Sequence, residues 1–192
     1  MSIMVKESLK DKIAADKQRM LNYKLFSVGF SYPDDNFFKY FPDLLKLRPK
    51  ILKTYDSLFR NKGLWLYTTE YTSEGTFQKS KALSDVTGFY KAFGLEVKTD
   101  RSDSLVTELE FMHCLIFKTV YALEKKPDKY QDKANLCLEA QIKFFSEYLY
   151  PGAKAISSKI LSENQETIYK SIVSDLLDFL KQESQFFKQL AQ

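Results

Sequence analysis

Glu110 and His113 are the residues whose types and spacing first suggest chemistry. They form a Glu-x-x-His motif, and carboxylate-bridged di-metal sites in helical bundles use a pair of these motifs. His113 is the only histidine in the chain, so a second motif cannot be present. A single-metal site would require carboxylates that converge on His113 from other helices, and no spacing in the sequence indicates them. The sequence therefore favours a structural histidine, and we predict neither a metal nor a cofactor.

Other catalytic arrangements are also missing from the sequence. Glu108 and Glu110 could act as an acid and base pair, but helical residues two positions apart point to different sides. Their place near the start of a helix has a simpler cause, since the helix dipole stabilises a carboxylate there by about 0.3–1 kcal/mol. The chain contains no GxSxG motif and no glycine-rich phosphate loop. We therefore predict that the protein is not an enzyme.

Residues 96–110 carry an unusual excess of negative charge. The segment contains five acidic residues and two basic ones, a local net charge of −3, in a chain whose formal charge is +4. The acids are Glu96, Asp100, Asp103, Glu108 and Glu110, and the bases are Lys98 and Arg101. The segment could be a solvated loop followed by carboxylates at a helix start. It could also form an acidic mouth that binds a cationic ligand or peptide.

The composition is typical of one globular domain that is rich in long helices. The 192 residues are 44% hydrophobic, which allows a core without disulfides or metals. Only 6 glycines and 5 prolines are present, too few for a chain with many tight turns. The lysines are spread along the chain, whereas nucleic-acid binding requires a dense basic face. We therefore predict no nucleic-acid partner.

The sequence also indicates where the protein works. No uncharged run approaches the roughly 20 residues that span a bilayer, and residues 1–12 lack the apolar core of a signal peptide. Cys114 and Cys137 form no CxxC motif and lie in apolar helical patterns, which indicates buried free thiols in a reducing compartment. We expect a cytoplasmic protein without membrane insertion.

Apolar residues recur at helical spacing along most of the chain. A first long helix should end near Pro33, and Asp34 and Asp35 are placed to cap the next one. Gly94 is placed to cap the C-terminus of a later helix. The stripe that begins at Leu105 predicts a helix that is apolar on most sides and lies in the middle of the fold.

The predicted architecture is all-α, a single helical bundle over residues 12–192 that follows a flexible N-terminus at 1–11. The charged, proline-containing segment 124–131 is a candidate hinge between two lobes. Domain swapping about this hinge would give a homodimer, so monomer and homodimer both remain open. Residues 64–72 depart from the helical pattern because they are rich in β-branched and aromatic side chains. We predict an ordered loop there, with a hairpin as the alternative.

Three motifs in a fixed order resemble a known family. They are FYKAFGL at 89–95, RSDSL at 101–105 and ELEFM at 108–112. This order and spacing resembles the core of the TorD/DmsD/NarJ-type redox-enzyme maturation chaperones. YKLFSVGF at 23–30, EYT at 70–72 and FFSEYL at 144–149 resemble further segments of the same family. The resemblance covers about residues 20–161.

The resemblance implies an all-α cytoplasmic chaperone without catalytic activity. Such a protein binds the immature catalytic subunit of a DMSO reductase-family molybdoenzyme, assists cofactor insertion and assembly, and in many cases binds the subunit's twin-arginine signal peptide. His113 follows the ELEFM motif directly, so its spacing from Glu110 is interpreted as a coincidence of a packing helix. The alternatives are a helical peptide-binding adaptor or regulator unrelated to molybdoenzymes, and an enzyme with an unrecognised metal at His113.

The resemblance also assigns roles to individual residues. By resemblance, Asp103 stands at the aspartate of the family's Asp-His motif and is expected to contact the client. The client site is predicted to comprise Asp103, Ser104, Glu70, Tyr71 and Asp100. The residues expected to hold the fold are Glu108, Leu109, Glu110, Phe111, Met112, Phe89, Tyr90 and Gly94. Ser104, Tyr148 and Gly152 replace a histidine, a histidine and a tryptophan of the family pattern, which predicts a reshaped groove and a different client.

Overall fold

Helices dominate the part of the chain that the computed structural model describes, residues 8–97, 100–125 and 127–190. No β-strand occurs within these ranges, so the predicted all-α bundle is confirmed. The α-helices are α1 (Leu9–Phe30), α2 (Asp35–Tyr40), α3 (Arg48–Tyr55), α4 (Thr69–Thr72), α5 (Gly75–Ala92), α6 (Leu105–Lys125), α7 (Pro127–Phe144), α8 (Tyr150–Leu161) and α9 (Ile168–Leu190). Pro42–Leu47 form a 3₁₀ helix, and Asp56–Asn61 and Phe145–Leu149 are π-helical.

The predicted helix caps are present. The Asp34 carboxylate accepts hydrogen bonds from the backbone N–H groups of Asn36 and Phe37, at 2.9 and 3.1 Å, and so begins α2. Gly94 ends α5 with a φ of 72°, a left-handed conformation that glycine adopts without steric cost. The N–H of Leu95 donates to the Tyr90 carbonyl at 2.9 Å, which satisfies a carbonyl at the helix end.

Two predicted irregular segments include residues outside the described ranges. Of the flexible N-terminus predicted at 1–11, residues 1–7 are outside. α1 begins at Leu9, because Ser8 and Asp11 cap it reciprocally, each side chain accepting the other's backbone N–H. The hinge predicted at 124–131 contains Lys126, which is also outside the described ranges.

α6 lies in the middle of the bundle, as its sequence predicts. α1 and α7 pack along it, and Phe111 joins it to α5 and α7, with its ring centroid 4.7 Å from those of Tyr90 and Phe144. Each fully buried side chain of this size contributes about 1.5–3 kcal/mol. The fully buried apolar residues of α6 are Leu105, Leu109, Met112, Leu115 and Ile116. The core therefore depends on this helix.

A buried ionic network joins α1 to α9. The Arg19 guanidinium binds the Glu183 carboxylate through Nε and Nη2 at 2.7 and 2.8 Å, and binds Asp16 at 2.7 Å. It also lies 4.2 Å over the Phe186 ring. Burial and the charge of Glu183 raise the pKa of Tyr23, so its hydroxyl stays protonated and donates to Glu183 at 2.9 Å.

The segment at 64–72 is neither a helix throughout nor a hairpin. Residues 66–68 run antiparallel to 103–105, with the Thr68 N–H donating to the Asp103 carbonyl at 2.9 Å and the Leu105 N–H to the Leu66 carbonyl at 2.8 Å. Thr69–Thr72 then form the short helix α4. The extended residues thus pair with a distant segment instead of folding back on themselves, and the hairpin alternative is wrong.

Gly152 on α8 lets this segment pack closely. A β-carbon at position 152 would lie 2.3 Å from the Cβ of Thr68, well inside van der Waals contact. Glycine is therefore required where α8 meets α4, which explains why no larger residue stands at this position.

We predict that Gly152→Ala destabilises the protein by about 1–3 kcal/mol, because the added methyl group overpacks the contact with Thr68. Urea unfolding at equilibrium measures this free energy. Gly88→Ala is the matched control, since nothing lies within 4 Å of a β-carbon there and alanine favours a helix interior by about 0.5–1 kcal/mol. Equal stability of Gly152→Ala and the wild type would contradict the close contact.

A second prediction concerns the Arg19 network. Glu183→Ala should lower the free energy of unfolding by about 3–5 kcal/mol, because it leaves the buried guanidinium without its main partner. Glu124→Ala is the control: Glu124 pairs with Lys17 at 2.6 Å on the surface, and removing such a pair costs about 0–1 kcal/mol. Similar losses of unfolding free energy in the two variants would show that the buried Arg19 network contributes no more stability than a surface ion pair.

Candidate functional site

A polar cluster joins the segment 101–103 to α4. Arg101 is its centre: Nε and Nη2 bind the Asp103 carboxylate at 2.9 and 2.8 Å, and Nη1 binds Glu70 at 2.9 Å. The Thr69 hydroxyl also donates to Asp103, and Lys79 binds Glu70 at 2.6 Å. The cluster fixes the approach to α6 against the start of α4.

Within this cluster the carboxylates differ in exposure. Asp103 is fully buried, with 0% of its surface exposed, and both its oxygens are bonded. Glu70 is partly exposed, and its hydrogen bonds from Lys79 and Arg101 lower its pKa, so it stays ionised. A ligand at the surface therefore meets Arg101 and Glu70 before it meets Asp103.

Glu108 lies beneath the cluster and is completely buried. The Thr68 hydroxyl donates to its Oε1 at 2.6 Å, and its Oε2 has no partner among the described residues. Burial raises the pKa of Glu108 well above its ordinary value; the Thr68 bond lowers it, and the charge of Asp103 raises it further. Glu108 is therefore protonated at acidic pH values where an exposed glutamate is already ionised.

The five acids of 96–110 do not surround one opening, so the acidic-mouth hypothesis is wrong as stated. Asp103 and Glu108 are buried. Glu110 faces α1, where it pairs with Lys24 and accepts a hydrogen bond from Ser27 at 2.8 Å. The charge count could not separate carboxylates that bind solvent from those that bind the protein.

An aromatic cleft lies next to the polar cluster. It has a volume of 660 Å³. Its walls are side chains that directly follow α1, side chains from residues 55–60 and side chains from residues 65–67, and Asp100 and Ser104 lie on the remaining side. The lining residues are Ser31, Tyr32, Tyr55, Phe59, Arg60, Trp65, Leu66, Tyr67, Asp100, Ser104 and Val106. Trp65, the only tryptophan, is 51% exposed. The cleft offers apolar ring surface with a few polar groups.

The polar groups of the cleft are mixed in sign. Tyr67 donates to Asp100 at 3.4 Å, and the Arg101 guanidinium lies 4.3 Å over the Tyr67 ring. Arg60 lies 4.4 Å over Tyr32. Burial raises the pKa of Tyr55 to about 12. The Tyr55 hydroxyl is therefore neutral at physiological pH, and Asp100 is the acidic group of the cleft among the described residues.

The predicted client-site residues are distributed over these two features. Asp103 and Glu70 belong to the polar cluster, whereas Asp100 and Ser104 line the cleft. Tyr71 is half-buried and packs on the core. Sequence reasoning missed the bridging role of Arg101 and the other aromatic walls. The aromatic run around Trp65 is the signal that could have located the cleft.

His113 takes part in packing. Its Nδ1 lies 2.9 Å from the Met20 carbonyl oxygen of α1, which holds the ring against that helix. Across the described residues, no three side chains of His, Cys, Asp or Glu come together in a way that could hold a metal ion. In the same ranges, no helix is both long and apolar enough to cross a bilayer.

A family model described as the nitrate reductase delta subunit matches residues 46–154, more than half of the chain. The chain belongs to the nitrate reductase delta subunit family. The members of this family are NarJ- and TorD-type chaperones of molybdoenzyme maturation, so the resemblance found in the sequence is confirmed. The matched range contains the polar cluster and most of the cleft wall. No curated protein and no solved structure matches the chain.

The buried carboxyl of Glu108 generates a prediction about pH. Because its pKa is raised in the folded state, the folded protein holds this proton more tightly than the unfolded chain does. The free energy of unfolding therefore loses up to about 1.4 kcal/mol per pH unit as the pH rises above about 4.3. Glu108→Gln removes this loss, so the variant should gain stability relative to the wild type as the pH increases.

Urea unfolding at a series of pH values measures this difference. Glu124→Gln, an exposed change on the same helix, is the control and should follow the wild type. A stability difference between Glu108→Gln and the wild type that does not change with pH would contradict the raised pKa.

Proposed function

We propose that this member of the nitrate reductase delta subunit family holds an immature molybdoenzyme catalytic subunit through the aromatic cleft. In this proposal the client is a DMSO reductase-family subunit, held in the cytoplasm until its cofactor is inserted. The observation that carries the proposal is the cleft itself, which three separate aromatic segments build beside the family's signature motifs. The chaperone performs no bond chemistry.

The apolar walls suit an unfolded segment of a client. Aromatic side chains bury about 150–250 Å² each, and they dominate the energy of many interfaces. Trp65 and Tyr67 stack with centroids 6.2 Å apart, which presents a rigid platform whose ordering costs little entropy. A client segment with apolar side chains could bury them against this platform.

The charged groups suit a client segment that contains arginine. A twin-arginine signal peptide carries cations next to an apolar stretch, so its receptor needs acceptors beside aromatic rings. Asp100 supplies an acceptor in the cleft, and the ring faces supply cation–π surface. Arg101 already illustrates this geometry within the chain, because it lies over Tyr67 and pairs with Glu70 and Asp103.

Asp103 has an indirect role in this proposal. Its carboxylate is buried and bound to Arg101, so it positions Arg101 and the wall that carries Asp100 and Ser104. Tyr71 of α4 packs on the core, so its role in the proposal is also indirect. Glu70 is the acid of the cluster that a client could reach.

We predict that Trp65→Ala weakens binding of the unprocessed molybdoenzyme catalytic subunit by about tenfold or more, as expected for a central aromatic contact. Isothermal titration with the N-terminal peptide of that subunit measures the affinity. Phe77→Ala is the matched control, since Phe77 is 83% exposed on α5 and does not line the cleft.

The same titration separates the two parts of the client site. Asp100→Asn should weaken the peptide with its two arginines but not a peptide in which both are glutamine. If the wild-type chaperone fails to bind the subunit, or if Trp65→Ala binds as tightly as Phe77→Ala, the cleft is not the client site.

A further inference from the structure

A second concave surface lies between α6 and α7, and it shares no lining residue with the aromatic cleft. This hollow of 450 Å³ meets, at Phe117, a hollow of 490 Å³ that lies between α6 and residues 90–97 and has Glu96 and Glu110 in its lining. We call the 450 Å³ hollow the α6–α7 groove and define it by Phe117, Lys118, Tyr121, Lys133 and Cys137. The groove is separate from the proposed client site, and its function does not depend on that proposal.

The groove exposes apolar side chains on the helix that otherwise forms the core. Phe117 is 51% exposed and Tyr121 is 53% exposed, with ring centroids 6.2 Å apart. Leu136 on α7, one turn from Lys133, is 58% exposed. Phe117 and Tyr121 lie one turn apart on α6, so their rings are presented on the same side of the helix.

Positive charge borders the exposed rings. Lys118 and Lys133 line the hollow beside Tyr121, and the Lys125 ammonium lies 5.9 Å from the Tyr121 ring centroid. No carboxylate belongs to the described lining of this hollow. Glu124, the acid on the same stretch of α6, pairs with Lys17 at 2.6 Å. The described lining of the groove thus carries two lysines and no carboxylate, which gives the groove a positive charge.

We propose that the α6–α7 groove binds an acidic amphipathic helix of a partner protein. The apolar face of the helix packs against Phe117 and Tyr121, and its carboxylates pair with Lys118 and Lys133. Helix-in-groove recognition needs a concave apolar floor with complementary charge at its border, and both features are present. A flat anionic membrane surface fits this concave hollow less well than a rod-shaped helix.

The test uses the full chain and two synthetic peptides of about 18 residues, enough for a helix longer than the groove. One peptide has leucines at i, i+3, i+4 and i+7 with flanking glutamates, and the other has lysines in place of the glutamates. Fluorescence anisotropy should detect binding of the acidic peptide. The double variant Lys118→Glu with Lys133→Glu should weaken it at least about tenfold and should bind the lysine peptide instead.

Matched variants test whether the effect belongs to the groove. Lys154→Glu with Lys159→Glu makes the same charge change on exposed positions of α8 and should leave the affinity unchanged. Phe117→Ala should weaken the acidic peptide without reversing the charge preference. The unfolding midpoint of each variant verifies that it folds, and client binding measured in parallel distinguishes failure here from failure of the cleft.

Four outcomes would overturn the proposal. In the first, neither peptide binds. In the second, both bind equally well. In the third, vesicles rich in phosphatidylglycerol bind and the acidic peptide does not. In the fourth, light scattering shows a dimer that Phe117→Asp dissociates, in which case a second copy of the chain covers the groove.

Discussion

The salt bridge between Arg101 and the buried Asp103 is the interaction on which the candidate site depends. A buried carboxylate is stable only when charge and hydrogen bonds compensate its lost solvation, and here the guanidinium and the Thr69 hydroxyl occupy both oxygens. Arg101 also binds Glu70, and Asp103 also binds Thr69, so the paired residues hold the chain before α6 against the start of α4. Their short antiparallel pairing then presents Trp65 and Tyr67 on one side and Asp100 and Ser104 on the other. The wall of the cleft that residues 65–67 and 100–104 form therefore depends on this charge pair.

Two buried carboxylates five positions apart differ in their chemistry because their partners differ. Asp103 is paired with a cation, whereas among the described residues Glu108 has only the Thr68 hydroxyl as a partner, and burial raises the pKa of Glu108. Thr68 also contacts Gly152 of α8, where no side chain would fit. The glycine at position 152, where the family pattern has a tryptophan, is thus explained by the close packing of α8 against the residue before α4. Ser104, the other departure near the site, lines the cleft and changes its chemistry directly.

α6 connects the core to two surfaces of different character. The segment before its first turn carries the wall of the aromatic cleft, and its second half carries the exposed rings and lysines of the α6–α7 groove. Both proposed binding surfaces therefore depend on one helix. Burial of α6 on its remaining sides makes it rigid, because close-packed interiors resist deformation.

The sequence by itself determined the helical class, the caps at Asp34 and Gly94, the central place of the helix from Leu105 and the family. These features depend on neighbours within a few residues or on motifs in fixed order, so they can be read along the chain. Only the tertiary structure decided which acids are buried, that Arg101 joins Asp103 to Glu70, and that residues 66–68 pair with 103–105. Those contacts join residues more than 30 positions apart, except for the Arg101–Asp103 pair, whose burial still depends on α4. A local pattern or a charge count contains no information about which distant segments will cover a side chain, and the cleft exists only where such segments meet.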